Sequence, residues 1–138
     1  MNNISNNITF DTFAVLSVIF KESGQSLVEG YLQKASRFEI EIFLNEINLG
    51  EIYYRIWKHH AKNNANGALK LIQLWPLTLV SIDQQFILAA ATWKAQYKIS
   101  YADAFCIETA HRHRCPVLTG DPEFSPIKGI KIIKLPQS

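Results

Sequence analysis

"ITFDTFAVLSVIF", residues Ile8 to Phe20, holds the strand-to-helix junction on which the fold turns. "ITF" reads as a short buried strand that stops at an acid, Asp11. "AVLSVIF" then reads as an apolar helix ending near Gly24. Repeated along a chain, such junctions predict a mainly parallel sheet with helices on both faces.

The alternation does continue. "SLVEGYLQKA" places Leu27, Val28, Tyr31, Leu32 and Ala35 at helical intervals, and "FEIEIFL" alternates in its first half and suits a second strand. A long helix is expected from Glu46, with Ile47, Leu49, Ile52, Ile56 and Trp57 facing inward. "NNANGALKLIQLW" supplies another helix, closed by Pro76, and "LTLVSI" a third strand. Asp83 is an N-cap for the helix "QQFILAAATWKAQY". "YADAFCIETAHRH" is a further helix, and "PVLT" and "IKIIKL" complete the strands. The Asn-rich leader, residues 1–7, is expected to be flexible, and residues 1–138 to form a single domain.

Composition narrows the class. Of 138 residues, 48% are apolar and 12% aromatic, enough for a folded core. The net charge of +2 does not by itself announce a nucleic-acid binder. Two cysteines, Cys106 and Cys115, make no disulfide framework and suit free thiols in a reducing cytosol. "MNNISNNITF" lacks the basic and apolar regions of a signal peptide, and no apolar run reaches membrane-spanning length. A cytoplasmic location without membrane attachment is therefore expected.

The acids carry the chemistry. In open parallel sheets, ligands bind beyond the carboxyl ends of the strands, near the topological switch point. Asp11 ends the first strand, and Asp121 follows "PVLT" by one glycine, so both fall on that edge. Asp103 lies in the first turn of a helix that opens there, and Glu51 lies on the face of the long helix. Carboxylates gathered in one place repel and raise one another's pKa unless a cation sits among them. Oxygen-only donors select a hard ion, Mg²⁺ or Mn²⁺.

Each acid also has a structural reading. Ser100 and Asp103 match a capping box. Glu51 and Arg55 are spaced for an exposed ion pair worth roughly 0.3–0.5 kcal/mol. Asp121 in "TGDPEF" suits a turn. Asp83 has only its capping role. The shared location of the others is the argument.

At these residues the sequence resembles the PIN-domain family, particularly the toxin ribonucleases of VapBC-type toxin–antitoxin pairs. The likeness runs from "FDTFAVLSVIFKESG" through "INLGEIYYRI" and "ISYADAFCIETA" to "CPVLTGDPEF". It implies a three-layer α/β/α fold with a mainly parallel central sheet, and an acidic quartet at Asp11, Glu51, Asp103 and Asp121 that acts catalytically and on metal. It further implies a Mg²⁺- or Mn²⁺-dependent endoribonuclease, usually dimeric, silenced by a cognate antitoxin whose C-terminal segment lies in the cleft. Phe13 departs from the pattern, which has a small polar residue there. Thr12 still offers a hydroxyl near the metal, Thr119 can bond an acid or a metal-bound water, and Glu123 can support a second ion or an ordered water.

An RNA substrate also needs positive charge. Of the 12 acids, setting aside the quartet leaves 8 against 14 Lys and Arg. The candidates for RNA contact are Arg55, Lys58, Lys62, Arg112 and Arg114, although Arg112 and Arg114 also suit a helix C-terminus. "HRHRC" could offer His111, His113 and Cys115 to zinc, but its spacing fits no common structural site. Tyr54 and Trp57 are better read as core or dimer packing than as stacking platforms for bases. Two rival classes stand beside the nuclease: a phosphotransfer or phosphatase-type α/β domain, weakened because Thr12 and Phe13 follow Asp11, and a catalytically silent PIN-like binding protein.

Overall fold

The computed structural model describes residues 6–137. Strand β1 (Ile8–Phe10) leads into helices α1 (Thr12–Ile19) and α2 (Gln25–Ser36). Strand β2 (Ile42–Asn45) precedes α3 (Glu46–His59) and α4 (Lys62–Ile72). Then come β3 (Thr78–Val80), α5 (Gln84–Gln96), α6 (Tyr101–His113), β4 (Val117–Thr119), a 3₁₀ turn (Pro122–Phe124) and β5 (Ile132–Lys134). All five strands are parallel, in the order β3-β2-β1-β4-β5. The chain builds outward from β1 to one side and then crosses to β4, so the switch point lies between β1 and β4.

Strand alternation assigns the two faces. Ile8 and Phe10 of β1, Ile42 and Leu44 of β2, and Leu118 of β4 share one core with Ala14, Val15, Val28, Ile52, Ile56 and Ile72 from α1–α4. Residues between them turn the other way. Phe43 stacks on His113 at 3.9 Å, Asn45 Nδ2 donates to Thr109 Oγ1 at 3.0 Å, and Val117 packs with Phe86, Ala90 and Phe105 from α5 and α6. The result is the expected three-layer α/β/α arrangement.

Polar side chains start the helices. Asp11 accepts from Ala14 N at 2.9 Å, Asn45 from Ile47 N at 2.8 Å and Asp83 from Phe86 N at 2.8 Å. Each satisfies a backbone N–H that has no partner within its helix.

Three expectations need correction or limit. "FEIEIFL" becomes a strand only at Ile42. Its first residues instead finish α2: Phe38 takes a left-handed φ of 61° and donates its N–H to Ala35 O at 3.0 Å, while Glu39 N reaches Lys34 O at 3.0 Å. Those bonds occupy carbonyls orphaned by the helix end, which leaves Phe38 95% exposed. Trp57 does not face inward, since it follows Ile56 by one residue and so turns off the Ile52–Ile56 stripe; Trp57 and Tyr54 are each about half exposed. Residues 1–5 of the expected flexible leader lie outside the described residues, and Asn7 Oδ1 accepts Glu41 N at 2.7 Å. Among the described residues, no helix is long and apolar enough to cross a membrane.

Candidate metal centre

The acids converge where the topology says they should. Asp11 follows β1 and Asp121 follows β4, the two strands that flank the switch point. Thr119, the last residue of β4, joins them: its hydroxyl donates to Asp11 Oδ2 and accepts Asp121 N–H at 2.9 Å. Asp121 Oδ1 in turn accepts Glu123 N at 2.9 Å, which starts the 3₁₀ turn. Phe124, fully buried beneath that turn, fixes its position. From the opposite layer, α6 brings Asp103 in its first turn. Ser100 is the cap here, with its hydroxyl accepting Asp103 N at 3.1 Å.

Carboxylate oxygens of Asp103, Asp121 and Glu123 lie within 4.8 Å of one another, with Asp103 buried, Asp121 partly exposed and Glu123 exposed. Glu123, expected only in support, is thus a full member of the cluster. Asp11 sits behind it, wholly buried, with one oxygen on Ala14 N and the other on the Thr119 hydroxyl. Burial drives the Asp11 carboxyl up to about 8, opposed by those two hydrogen bonds and reinforced by the charges of Asp103 and Asp121. Asp103 rises to about 7, first through burial and then through the Asp121 charge, with Glu51 adding to it.

Glu51 is held differently. Its side chain is 8% exposed; Oε1 accepts from the Thr12 hydroxyl at 2.6 Å and Oε2 from Arg55 Nε at 3.0 Å. The ion pair read from the i,i+4 spacing is present, but it is half sunk into the protein rather than exposed. Thr12 thereby supports one of the four expected acids. Phe13, the departure from pattern, lies under the Arg55 guanidinium at 5.2 Å from the ring centroid.

The donor set fits a hard divalent cation. Three carboxylates share one small space, all donors are oxygen, and two neighbouring acids are forced toward their neutral forms. Among the described residues the ion pairs fall elsewhere, on Arg37–Glu39, Arg55–Glu51 and Arg112–Glu108.

The basic candidates divide. Arg55 is beside the acids through Glu51. Lys58 and Lys62 are on the exposed side of the α3–α4 hairpin, over Tyr54 at 5.8 Å and Trp57 at 5.5 Å. Arg112 and Arg114 are not brought to the acids: Asp103 occupies the first turn of α6, and these two stand at its other end, nine and eleven residues further along, roughly 14 to 16 Å. "HRHRC" forms no zinc cluster, since His113 stacks on Phe43, His111 meets the edge of Trp93, and Cys115 Sγ lies 3.1 Å from Thr9 Oγ1. Both cysteines are free and buried.

Asn48 escaped the sequence reading. It is fully buried, donates Nδ2 to Ala102 O at 3.1 Å, and leaves Oδ1 without a partner among the described residues. Its place three residues before Glu51, on the same helix face, was the available signal.

No curated protein matches the chain in sequence. Solved structures do match its fold. VapBC2 from Rickettsia felis, bound to a promoter DNA fragment, superposes with a TM-score of 0.76 at 15% identity, over 94% of this chain and 99% of that one. DNA-bound VapBC from Salmonella typhimurium gives 0.72 at 18% identity, over 93% and 97%. Mycobacterium tuberculosis VapC20, a sarcin–ricin loop cleaving toxin, gives 0.66 at 13% identity, over 86% and 93%. Residues 8–130 match the PIN domain family itself, and with that match added to the five-stranded parallel sheet and its acidic edge, the chain belongs to the PIN domain family.

Proposed function

We propose that this protein is a Mg²⁺- or Mn²⁺-dependent endoribonuclease, the toxin of a toxin–antitoxin pair. The observation that carries the reading is the meeting of Asp103, Asp121 and Glu123 within 4.8 Å, backed by buried Asp11 and flanked by Glu51. Asp103, Asp121 and Glu123 would hold the ion, and Asp11 would add its remaining lone pairs from behind. A divalent ion so bound lowers the pKa of its water and stabilises charge on a phosphoryl oxygen. The chain's own residues do the rest. Thr119 fixes Asp11 against Asp121. Thr12 and Arg55 hold Glu51 in one orientation, and that carboxylate is assigned the task of orienting the attacking water. Arg55 adds positive charge next to the acids for the RNA backbone.

The relatives named above as VapBC complexes support a cognate antitoxin as partner; a homodimer acting in the cytoplasm belongs to the same proposal. A basic side chain from the antitoxin, placed among the acids, would silence them by occupying the cation's position. A phosphatase-type rival is disfavoured because Thr12 and Phe13 follow Asp11, where that chemistry needs a second acid. A silent binding protein is disfavoured because every acid of the cluster is in place.

The test is incubation of the purified protein with single-stranded RNA plus Mg²⁺ or Mn²⁺, with and without chelator, alongside p-nitrophenyl phosphate. Metal-dependent internal cleavage of RNA is expected, with no release of nitrophenol. Intact RNA under both metals would refute the proposal.

A further inference from the structure

A cavity of the protein lies well away from the acids. It holds about 860 Å³ at the opposite edge of the sheet, lined by His111, Arg112, Arg114, Cys115, Pro116 and Lys131 among others. A second hollow of about 410 Å³ adjoins it through Pro116 and Lys131 and adds Tyr31 and Lys34. The one acid in either lining is Glu108, whose side chain is 7% exposed and already bound to Arg112. The two hollows meet at Pro116 and Lys131 along one groove whose lining carries no exposed acid; Glu39 stands outside the lining, near Lys34.

Two features show that this edge is built rather than incidental. Arg112 is held in place: Glu108 Oε2 takes its Nε at 2.6 Å, Trp93 Nε1 braces Glu108 Oε1 at 2.8 Å, and the guanidinium lies 4.1 Å over the Phe86 ring. With Nε and one face engaged, the terminal N–H groups remain for an anion. Arg114 ends α6 at φ 53°, a left-handed conformation that glycine adopts without strain and arginine does not. The helix dipole explains a cation near this end. It does not explain a strained arginine, or Lys131 and Lys34 from other elements.

We infer that this groove is a second nucleic-acid contact, binding the phosphate backbone of single-stranded RNA away from the acidic centre through Arg112, Arg114, Lys131 and Lys34. The inference rests on the ribonuclease reading for its choice of RNA. An acidic centre repels a polyanion, so affinity has to come from cations elsewhere on the surface. Tyr31, with Lys34 Nζ at 5.9 Å from its ring, gives the groove an aromatic face beside its charge.

The test measures binding apart from cleavage. Fluorescence anisotropy with a labelled RNA of about 30 nucleotides, long enough for several contacts, would be run in the Asp103→Asn background. Arg114→Gly combined with Lys131→Gln is the probe, because glycine relieves the strained turn while removing charge. The double variant is expected to keep its melting temperature, lose about tenfold in affinity and lower the salt slope by about 1 to 1.5. Lys70→Gln, on exposed α4, is the control and should change neither. Unchanged affinity and slope in the double variant would overturn the inference. So would loss of polyglutamate binding in place of RNA binding, which would assign the groove to an acidic protein partner. Groove-dependent binding by a wild-type protein that cuts no RNA would remove the ribonuclease reading and leave the groove standing. Cleavage with groove variants silent would do the reverse.

Discussion

Thr12 Oγ1 donates to Glu51 Oε1 at 2.6 Å, joining the first residue of α1 to the middle of α3. Thr12 is also the residue after Asp11. One backbone step thus ties the orientation of Glu51 to the end of β1, and Arg55 closes the other side at 3.0 Å. Thr12→Val keeps the shape and deletes the donor. It should lower cleavage by about 10- to 100-fold, the usual cost of losing a supporting bond at a metal site. Thr12→Ser should restore most of it. Steady-state kinetics on a defined RNA would check both, and full activity in the valine variant would remove Thr12 from the site.

Asp11→Asn and Asp103→Asn should each nearly abolish cleavage and leave the fold intact. Asparagine is as good an N-cap as aspartate, so α1 keeps its start in the first variant. Asp11→Ala should in addition lose about 1 kcal/mol with the cap. Circular dichroism and thermal melts separate the two effects. Retained Mg²⁺-dependent activity in either purified asparagine variant would defeat the assignment.

Much of this was legible in the sequence because the strand ends mark themselves. Asp11 and Asp121 each follow a short apolar strand, and Ser100 with Asp103 announces a helix start, so three of the acids could be placed on one edge without coordinates. What the sequence hid were depths and directions. The spacing of Glu51 and Arg55 predicts their contact, but not that Glu51 is buried and bound on its other oxygen by Thr12. "FEIEIFL" alternates like a strand, yet its first residues serve as the cap of α2, a local demand that outweighs the pattern. Arg112 and Arg114 were readable in principle: a helix that starts with Asp103 at the acidic edge must carry them to the other one.

Removal of metal gives a pH dependence with a definite sign. Asp11 and Asp103 titrate near 3.8 when unfolded, and at about 8 and about 7 in the folded chain. The folded state therefore holds protons that the unfolded state releases. That contribution to stability is complete below about pH 4 and is lost as pH rises through 7 and 8. In chelator, the melting temperature should fall between about pH 4 and about pH 8. Mn²⁺ or Mg²⁺ binds the deprotonated acids, so its stabilising shift should grow over the same window. A chelated protein that melts higher as pH rises there would contradict the clustered geometry.

Asn48 offers a case where stability and activity should part. Its Nδ2 donates to Ala102 O, a carbonyl already in the helical ladder of α6, while its buried Oδ1 accepts from no group among the described residues. A buried acceptor without a partner costs about 1–3 kcal/mol. Asn48→Leu removes that cost and fills a similar volume, so the variant should be at least as stable as the native chain. The amide is nevertheless the clamp between the α3 face that carries Glu51 and the α6 turn that carries Asp103. Without it the two acids lose their fixed separation, and kcat should fall with little change in KM. Asn48→Ala should lose activity as well, and stability too, through the cavity it leaves. Thermal melts with single-turnover cleavage would decide the matter: a leucine variant that is more stable and fully active would show that the buried amide does nothing for the site.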